Sequence, residues 1–131
     1  MNLTQLEYET ITTNRFANLL GLKLVSASKE QAVAELILKP EHFNPIGSVH
    51  GGCIFTLADN VAGIAAFSTG KKMTTVDSNI HYLRPAINCE KIMGWARILK
   101  QGKRISVIDV DITDENKTVL ATATFTFSVF G

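Results

Sequence analysis

The rhythm of apolar and polar positions along this chain changes several times. From Thr4 to Leu20 the spacing reads as a helix, with Phe16, Leu19 and Leu20 apolar and Gly21 as its stop. Lys23 to Ser28 and Gln31 to Lys39 then read as two strands, the second alternating around Val33 and Ile37. Pro40 to Val49, punctuated by two prolines and a glycine, predicts a loop. A second helical pattern follows from Gly51 to Gly70. Ile54, Leu57, Ala58, Val61, Ile64 and Ala65 recur at spacings of three and four. The opposite side, with Phe55, Asp59, Ala62, Gly63 and Ala66, is also mostly apolar or small. A helix apolar on most faces is expected to be buried on most faces.

After Gly70 the composition turns to Val, Ile, Thr and aromatics. Met73–Leu83, Lys91–Leu99, Arg104–Thr113 and Thr118–Val129 predict four strands. Turn signals separate them at Pro85-Ala86-Ile87-Asn88, Gln101-Gly102-Lys103 and Asp114-Glu115-Asn116-Lys117. Connections this short favour antiparallel hairpins, because parallel crossovers need about a dozen residues or more. The order predicts an α+β fold: one antiparallel sheet wrapped around a long central helix, in a single domain over residues 1–131. Such a sheet keeps an edge that can pair with a second chain, so a homodimer, or a pair of such dimers, is expected.

Composition narrows the function classes. The chain is 46% hydrophobic and 19% charged, which argues against disorder. A net charge of +1 provides no field for nucleic acid or an anionic membrane surface. The opening residues MNLTQLEYET carry acids and no apolar core, unlike a secretory signal. Gly51 to Gly70 is marginally long enough to span a bilayer. However, an Asp near the centre of a span costs about 2.5–3.5 kcal/mol, and this stretch is rich in Gly, Ala, Ser and Thr. A membrane span is therefore rejected. Cys53 and Cys89 are isolated, with no metal-type spacing, and read as reduced, buried thiols of a cytoplasmic protein. No P-loop, dinucleotide fingerprint or zinc-ligand pair is present, so neither a cofactor nor a metal is expected.

Asp59 is the only charged residue between Gly51 and Gly70. A charge on an apolar helix costs several kcal/mol unless it has partners or a purpose. The economical reading is an acid/base group on a buried helix whose start binds a carbonyl or an anion. The first N–H groups of a helix are unpaired and lie at the positive end of its dipole. Gly51 and Gly52 lack side chains, so an oxygen could approach them closely.

The segment Asn44-Pro45-Ile46-Gly47-Ser48-Val49-His50-Gly51-Gly52, followed by Leu57-Ala58-Asp59, Thr74-Thr75-Val76-Asp77 and Tyr82-Leu83-Arg84-Pro85-Ala86, resembles the hotdog-fold acyl-CoA thioesterases of the phenylacetyl-CoA thioesterase type. The general pattern runs from about Phe16 to the C-terminus. The resemblance implies hydrolysis of an acyl- or aryl-CoA thioester to free acid and CoA. It implies that Asn44 positions the thioester or water and that His50 orients the loop and substrate. The Gly51 N–H would polarise the carbonyl. Asp59 would be the catalytic carboxylate, as base or nucleophile, and Thr75 would lie near the water. It further implies a site shared across a dimer, with the acid from one subunit and the loop residues from the other. Gly52, Arg84, Lys103 and Arg104 are candidates for holding CoA.

Plainer roles stay open at this point. Asp59 could be a structural acid bonded to Thr75, His50 a helix cap, Asn44 a turn former, Thr75 a strand residue and the basic residues solvated. His42 and His81 show no partner in the sequence, and Asp109 and Asp111 read as a solvated strand face. A non-catalytic acyl-CoA-binding module on the same fold, or a hotdog hydratase, are the competing functions.

Overall fold

A computed structural model describes residues 13–28 and 30–130 of the chain. A short helix α1 (Arg15–Leu20) is capped at its start by Asn14 and ends at Gly21, whose φ of 89° is left-handed. Strands β1 (Leu22–Ser28) and β2 (Gln31–Ile37) follow, then a 3₁₀ turn (Pro40–His42), the long helix α2 (Gly51–Phe67), and strands β3 (Lys72–Tyr82), β4 (Lys91–Gln101), β5 (Ile105–Asp114) and β6 (Val119–Phe130). The stretch of the expected first helix before residue 13 lies outside the described residues. Within the described stretch, Ala17 is the buried residue, while Phe16 and Leu19 point outward. A helix this short touches β1 and α2 along one narrow line, and Ala17 occupies it.

The sheet has six strands in the order β1-β2-β4-β5-β6-β3. Every pairing is antiparallel. Helix α2 packs against β2, β3, β4 and β5. Leu57 and Val61 of the helix meet Leu36, Ile92, Ile108, Ile112 and Phe125 of the sheet, all fully buried. The helix lies close because β4 carries Gly94 beneath it: a Cβ there would stand 3.0 Å from Val61 Cγ1 and 3.3 Å from Leu57 Cγ. Burial of such side chains supplies the main stabilisation, at about 1.5–3 kcal/mol each.

One sheet does not enclose the whole helix. Along one stripe Phe55, Thr56, Asp59, Asn60 and Gly63 are only partly buried. Strand β3 is likewise open. Among the described residues it pairs only with β6, and of its own residues Met73 alone is buried. Its ladder slips by one residue between Thr75 and Asp77, and Val76 at that bulge is 57% exposed. An eleven-residue edge strand with an unpaired row of backbone groups invites another strand.

Of the two cysteines, Cys53 is buried and Cys89 half-buried, and both are free. No helix among the described residues is long and apolar enough to cross a membrane.

Candidate active site

The loop before α2 is held by its own polar groups. The Asn44 Oδ1 accepts from the N–H of Ile46 at 3.1 Å and of Ser48 at 3.0 Å. Its Nδ2 donates to Ser48 Oγ at 2.8 Å. The Asn44 amide therefore closes its own turn, and Gly47, with φ of 88°, completes the reversal.

His42 anchors the same loop from beneath and is 1% exposed. Its Nδ1 accepts from Lys39 N–H at 3.0 Å, which leaves Nε2 to donate to the Leu20 carbonyl at 2.9 Å. Its own carbonyl accepts the His50 N–H at 2.8 Å. No sequence signal announces this residue, because the Leu20 carbonyl lies at the end of another helix, reached only by folding. The expectation that His42 lacks partners is corrected.

His50 caps α2. Its Nδ1 accepts from the Gly52 N–H at 2.8 Å. A Cβ on Gly52 would stand 2.9 Å from that nitrogen, so glycine is what lets the imidazole fold over the helix start. The Gly52 N–H is thus taken, a correction to the expectation of two open donors. Gly51 differs. Its carbonyl accepts the Tyr82 hydroxyl at 3.0 Å, while its N–H has no partner among the described residues. Beside it opens a cleft of about 260 Å³, bordered by Ser48, Ile54, Tyr82, Leu83, Arg84 and Pro85. Tyr82, to which the motifs assign no role, is the residue that ties the end of β3 to the helix start.

Asp59 lies two turns further along α2 and opens into a different cleft, of about 190 Å³, with Asn60, Gly63, Phe67, Thr75 and Phe127 around it. The Thr75 hydroxyl donates to Asp59 Oδ1 at 3.3 Å. Burial pushes the Asp59 carboxyl above the ordinary aspartate range, and the Thr75 hydrogen bond partly opposes that shift. A raised pKa makes the carboxylate a stronger base.

The candidate residues therefore fall into two groups. Asn44, His50 and Gly51 gather at the start of α2. Asp59 and Thr75 meet near its middle. Eight residues at 1.5 Å per residue separate Gly51 from Asp59 by about 12 Å along the helix. The basic candidates divide in the same way. Arg84 lies past the end of β3, where one guanidinium nitrogen donates to the Val119 carbonyl at 2.7 Å. Lys103 and Arg104 lie in the β4–β5 turn, and the Arg104 carbonyl holds Val129 N–H, next to the start of β3. Asp109 faces Arg97 at 3.6 Å on the other side of the sheet, as a solvated face would. The described residues contain no group of three or more His, Cys, Asp or Glu able to hold a metal ion.

Residues 46–121 match the model of the thioesterase superfamily. The chain belongs to that family. Human acyl-coenzyme A thioesterase 13 is 40% identical to it over 103 residues, 76% of this chain and 74% of that protein. The structure of Escherichia coli PaaI, from the phenylacetic acid degradation operon, superposes with a TM-score of 0.92 at 25% identity, over 97% of this chain and 92% of that one. A Streptococcus pneumoniae hypothetical thioesterase solved with coenzyme A gives a TM-score of 0.86 at 27% identity, over 93% and 97% of the two chains. The resemblance read from the motifs, the hotdog fold and the thioester-hydrolase class are borne out at the level of the thioesterase superfamily.

Proposed function

We propose that this chain hydrolyses acyl-CoA thioesters at a site completed by a second copy of itself. The observation that carries the reading is the separation of the two half-sites. Reacting atoms must approach within about 3–3.5 Å, and no single thioester carbon can do so at once to groups about 12 Å apart on one helix. The half-sites also flank opposite ends of β3, with Thr75 near its start and Tyr82 at its end. Two copies of β3, paired antiparallel about a two-fold axis, would bring the end of one strand beside the start of the other. Each Asp59 would then face the partner's Gly51. The long open edge and the exposed Val76, Tyr82 and Leu83 support this arrangement, and the relative crystallised with coenzyme A supports the substrate class.

In this reading the partner's Gly51 N–H donates to the thioester carbonyl and to the oxyanion that develops from it. His50 keeps that donor aimed by fixing the first turn of the helix. Asp59 takes a proton from a water held between it and Thr75. The hydroxide attacks the carbonyl carbon, the oxyanion collapses with cleavage of the C–S bond, and the CoA thiolate leaves with the proton that Asp59 had taken, which restores the carboxylate. Arg84 on one side, with Lys103 and Arg104 on the other, flank the opening through which the charged portion of CoA would extend. The free thiols of Cys53 and Cys89 suit a reducing compartment such as the cytoplasm, and residues 1–131 would act as one domain.

A panel of aliphatic and aromatic acyl-CoAs, with released thiol detected by a thiol reagent, tests the reading. Release by the wild-type protein and its loss in Asp59→Ala are expected. Tight binding of acyl-CoA with no release by wild-type protein would contradict hydrolysis and leave a binding module.

A further inference from the structure

Behind the Asp59 cleft lies a second, smaller pocket of about 40 Å³, between α1, β1, β2 and α2. Its apolar wall comes from Ala17, Leu22, Leu24, Ala34 and Ile64. Asn14 and Asn60 border both spaces. Between them runs a hydrogen bond, from Asn14 Nδ2 to Asn60 Oδ1. Neither amide is free to turn away. Asn14 Oδ1 accepts the Ala17 N–H at 3.1 Å, as the cap of α1. Asn60 Nδ2 donates to the Thr56 carbonyl at 2.7 Å, one turn back along α2.

We infer that the Asn14–Asn60 hydrogen bond is a latch that sets how deep an acyl chain can reach, closing an apolar end-pocket behind the Asp59 cleft. The inference rests on the proposed thioesterase reading for the identity of the occupant. A carbonyl held at Asp59 directs its CoA half outward and its acyl half into the cleft. The apolar space that shares Asn14 and Asn60 with the cleft suits the end of an alkyl chain, with room for roughly two or three methylene-sized groups. A polar pair across the neck opposes entry, because a passing methylene must separate the amides and offers them no replacement partner. Asn14 and Asn60 are in this sense specificity-determining residues. The latch is cheap to change, since one of its two halves sits at the start of a short helix.

The test uses Asn14→Ser. Serine serves as an N-cap about as well as asparagine, so α1 keeps its start, while its hydroxyl is too short to reach Asn60. The readout is the ratio of kcat/KM for decanoyl-CoA to that for acetyl-CoA, together with the ratio of affinities for the S-decyl and S-ethyl thioethers of CoA. One buried methylene is worth about fourfold, so both ratios are expected to rise on the order of tenfold in Asn14→Ser. Adding Leu24→Phe, which fills the pocket from β1, should return them to the wild-type value. Asn14→Thr, a second cap-forming side chain without an amide, should behave as Asn14→Ser does and covers a folding failure of the first variant. Unchanged ratios in both Asn14 variants would overturn the latch. A rise that survives Leu24→Phe would overturn the end-pocket. If the wild-type protein hydrolyses no thioester, the thioesterase reading fails by itself, and the thioether ratios still decide the latch.

Discussion

The two halves of the candidate site are built in opposite ways. At Gly51 the group offered to a substrate is backbone, and side chains hold it in place: His50 caps the turn and Tyr82 fastens the carbonyl of the same residue. At Asp59 the group offered is a side chain, and the helix backbone holds it in place, with one hydroxyl from β3 against it. The difference matters for chemistry. A fixed N–H needs no reorganisation when charge develops on an oxygen, whereas a carboxylate can be tuned by the depth at which it is buried. The group offered by the first half is a backbone N–H, whereas the carboxylate of the second half titrates.

The strongest way to break the comparison is to remove the reactive group from each half in turn. Asp59→Ala is expected to lower kcat by about 10²–10⁴-fold, the usual contribution of a general base, with the fold retained by circular dichroism. Wild-type turnover in this variant would contradict the role of the acid. Gly51→Pro addresses the other half. Proline is well tolerated at the first position of a helix and removes the N–H in question, while its Cβ would rest 3.4 Å from the Tyr82 ring. The residue before it must be extended, and His50 already is, at φ −59° and ψ 134°. A loss of about 10²–10³ in kcat with an unchanged Tm is expected, the size found for a missing oxyanion donor.

The pH dependence separates the halves further. Activity should rise along an acid limb whose midpoint lies above that of a free aspartate, because burial raises the Asp59 pKa. A kcat/KM profile flat down to the acid limit of folding would count against Asp59 as the base. Stability carries the opposite sign. With its folded pKa raised above the unfolded value, Asp59 favours folding most below the ordinary aspartate pKa, and that advantage is lost as pH rises through the folded pKa. Asp59→Asn should therefore melt at a higher temperature than wild type at neutral pH, with the gap closing in acid. A gap independent of pH would point to packing instead of charge.

The smallest effect is expected at the cap. His50→Ala removes the acceptor for the Gly52 N–H and should lower stability by about 1 kcal/mol, the typical size of an N-cap. Thermal unfolding measures this directly, and no change would mean that water replaces the imidazole at little cost.

Much of this was legible in the sequence, for physical reasons that differ by region. The central helix announced itself through spacings of three and four, and Asp59 stood out because a lone charge on an apolar face needs a reason. The four later strands followed from β-branched runs broken by turn residues. What depends on distant contacts was not legible. His42 finds its partner at Leu20, and the Tyr82 hydroxyl finds the Gly51 carbonyl, only after the sheet has formed. The Gly-Gly pair promised two open donors, but the imidazole next to it closes one of them. The exposure of Phe16 and Leu19 was hidden because a short helix can turn either face to the core with the same periodicity. The division of the site into two halves was already implied by the resemblance, but which end of β3 each half adjoins needed strand register.

The central claim is that one active site takes Gly51 from one subunit and Asp59 from another. Subunit complementation tests it most directly. Asp59→Ala and Gly51→Pro proteins, each inactive alone, are dissociated, mixed in equal amounts and reassociated, with exchange followed by native mass spectrometry. Random pairing makes about half of the dimers mixed, and a mixed dimer has one site with both groups intact and one with neither. Activity should recover to about a quarter of the wild-type value. Confirmed exchange without any recovery, or a monomer that remains fully active in solution, would contradict the shared site.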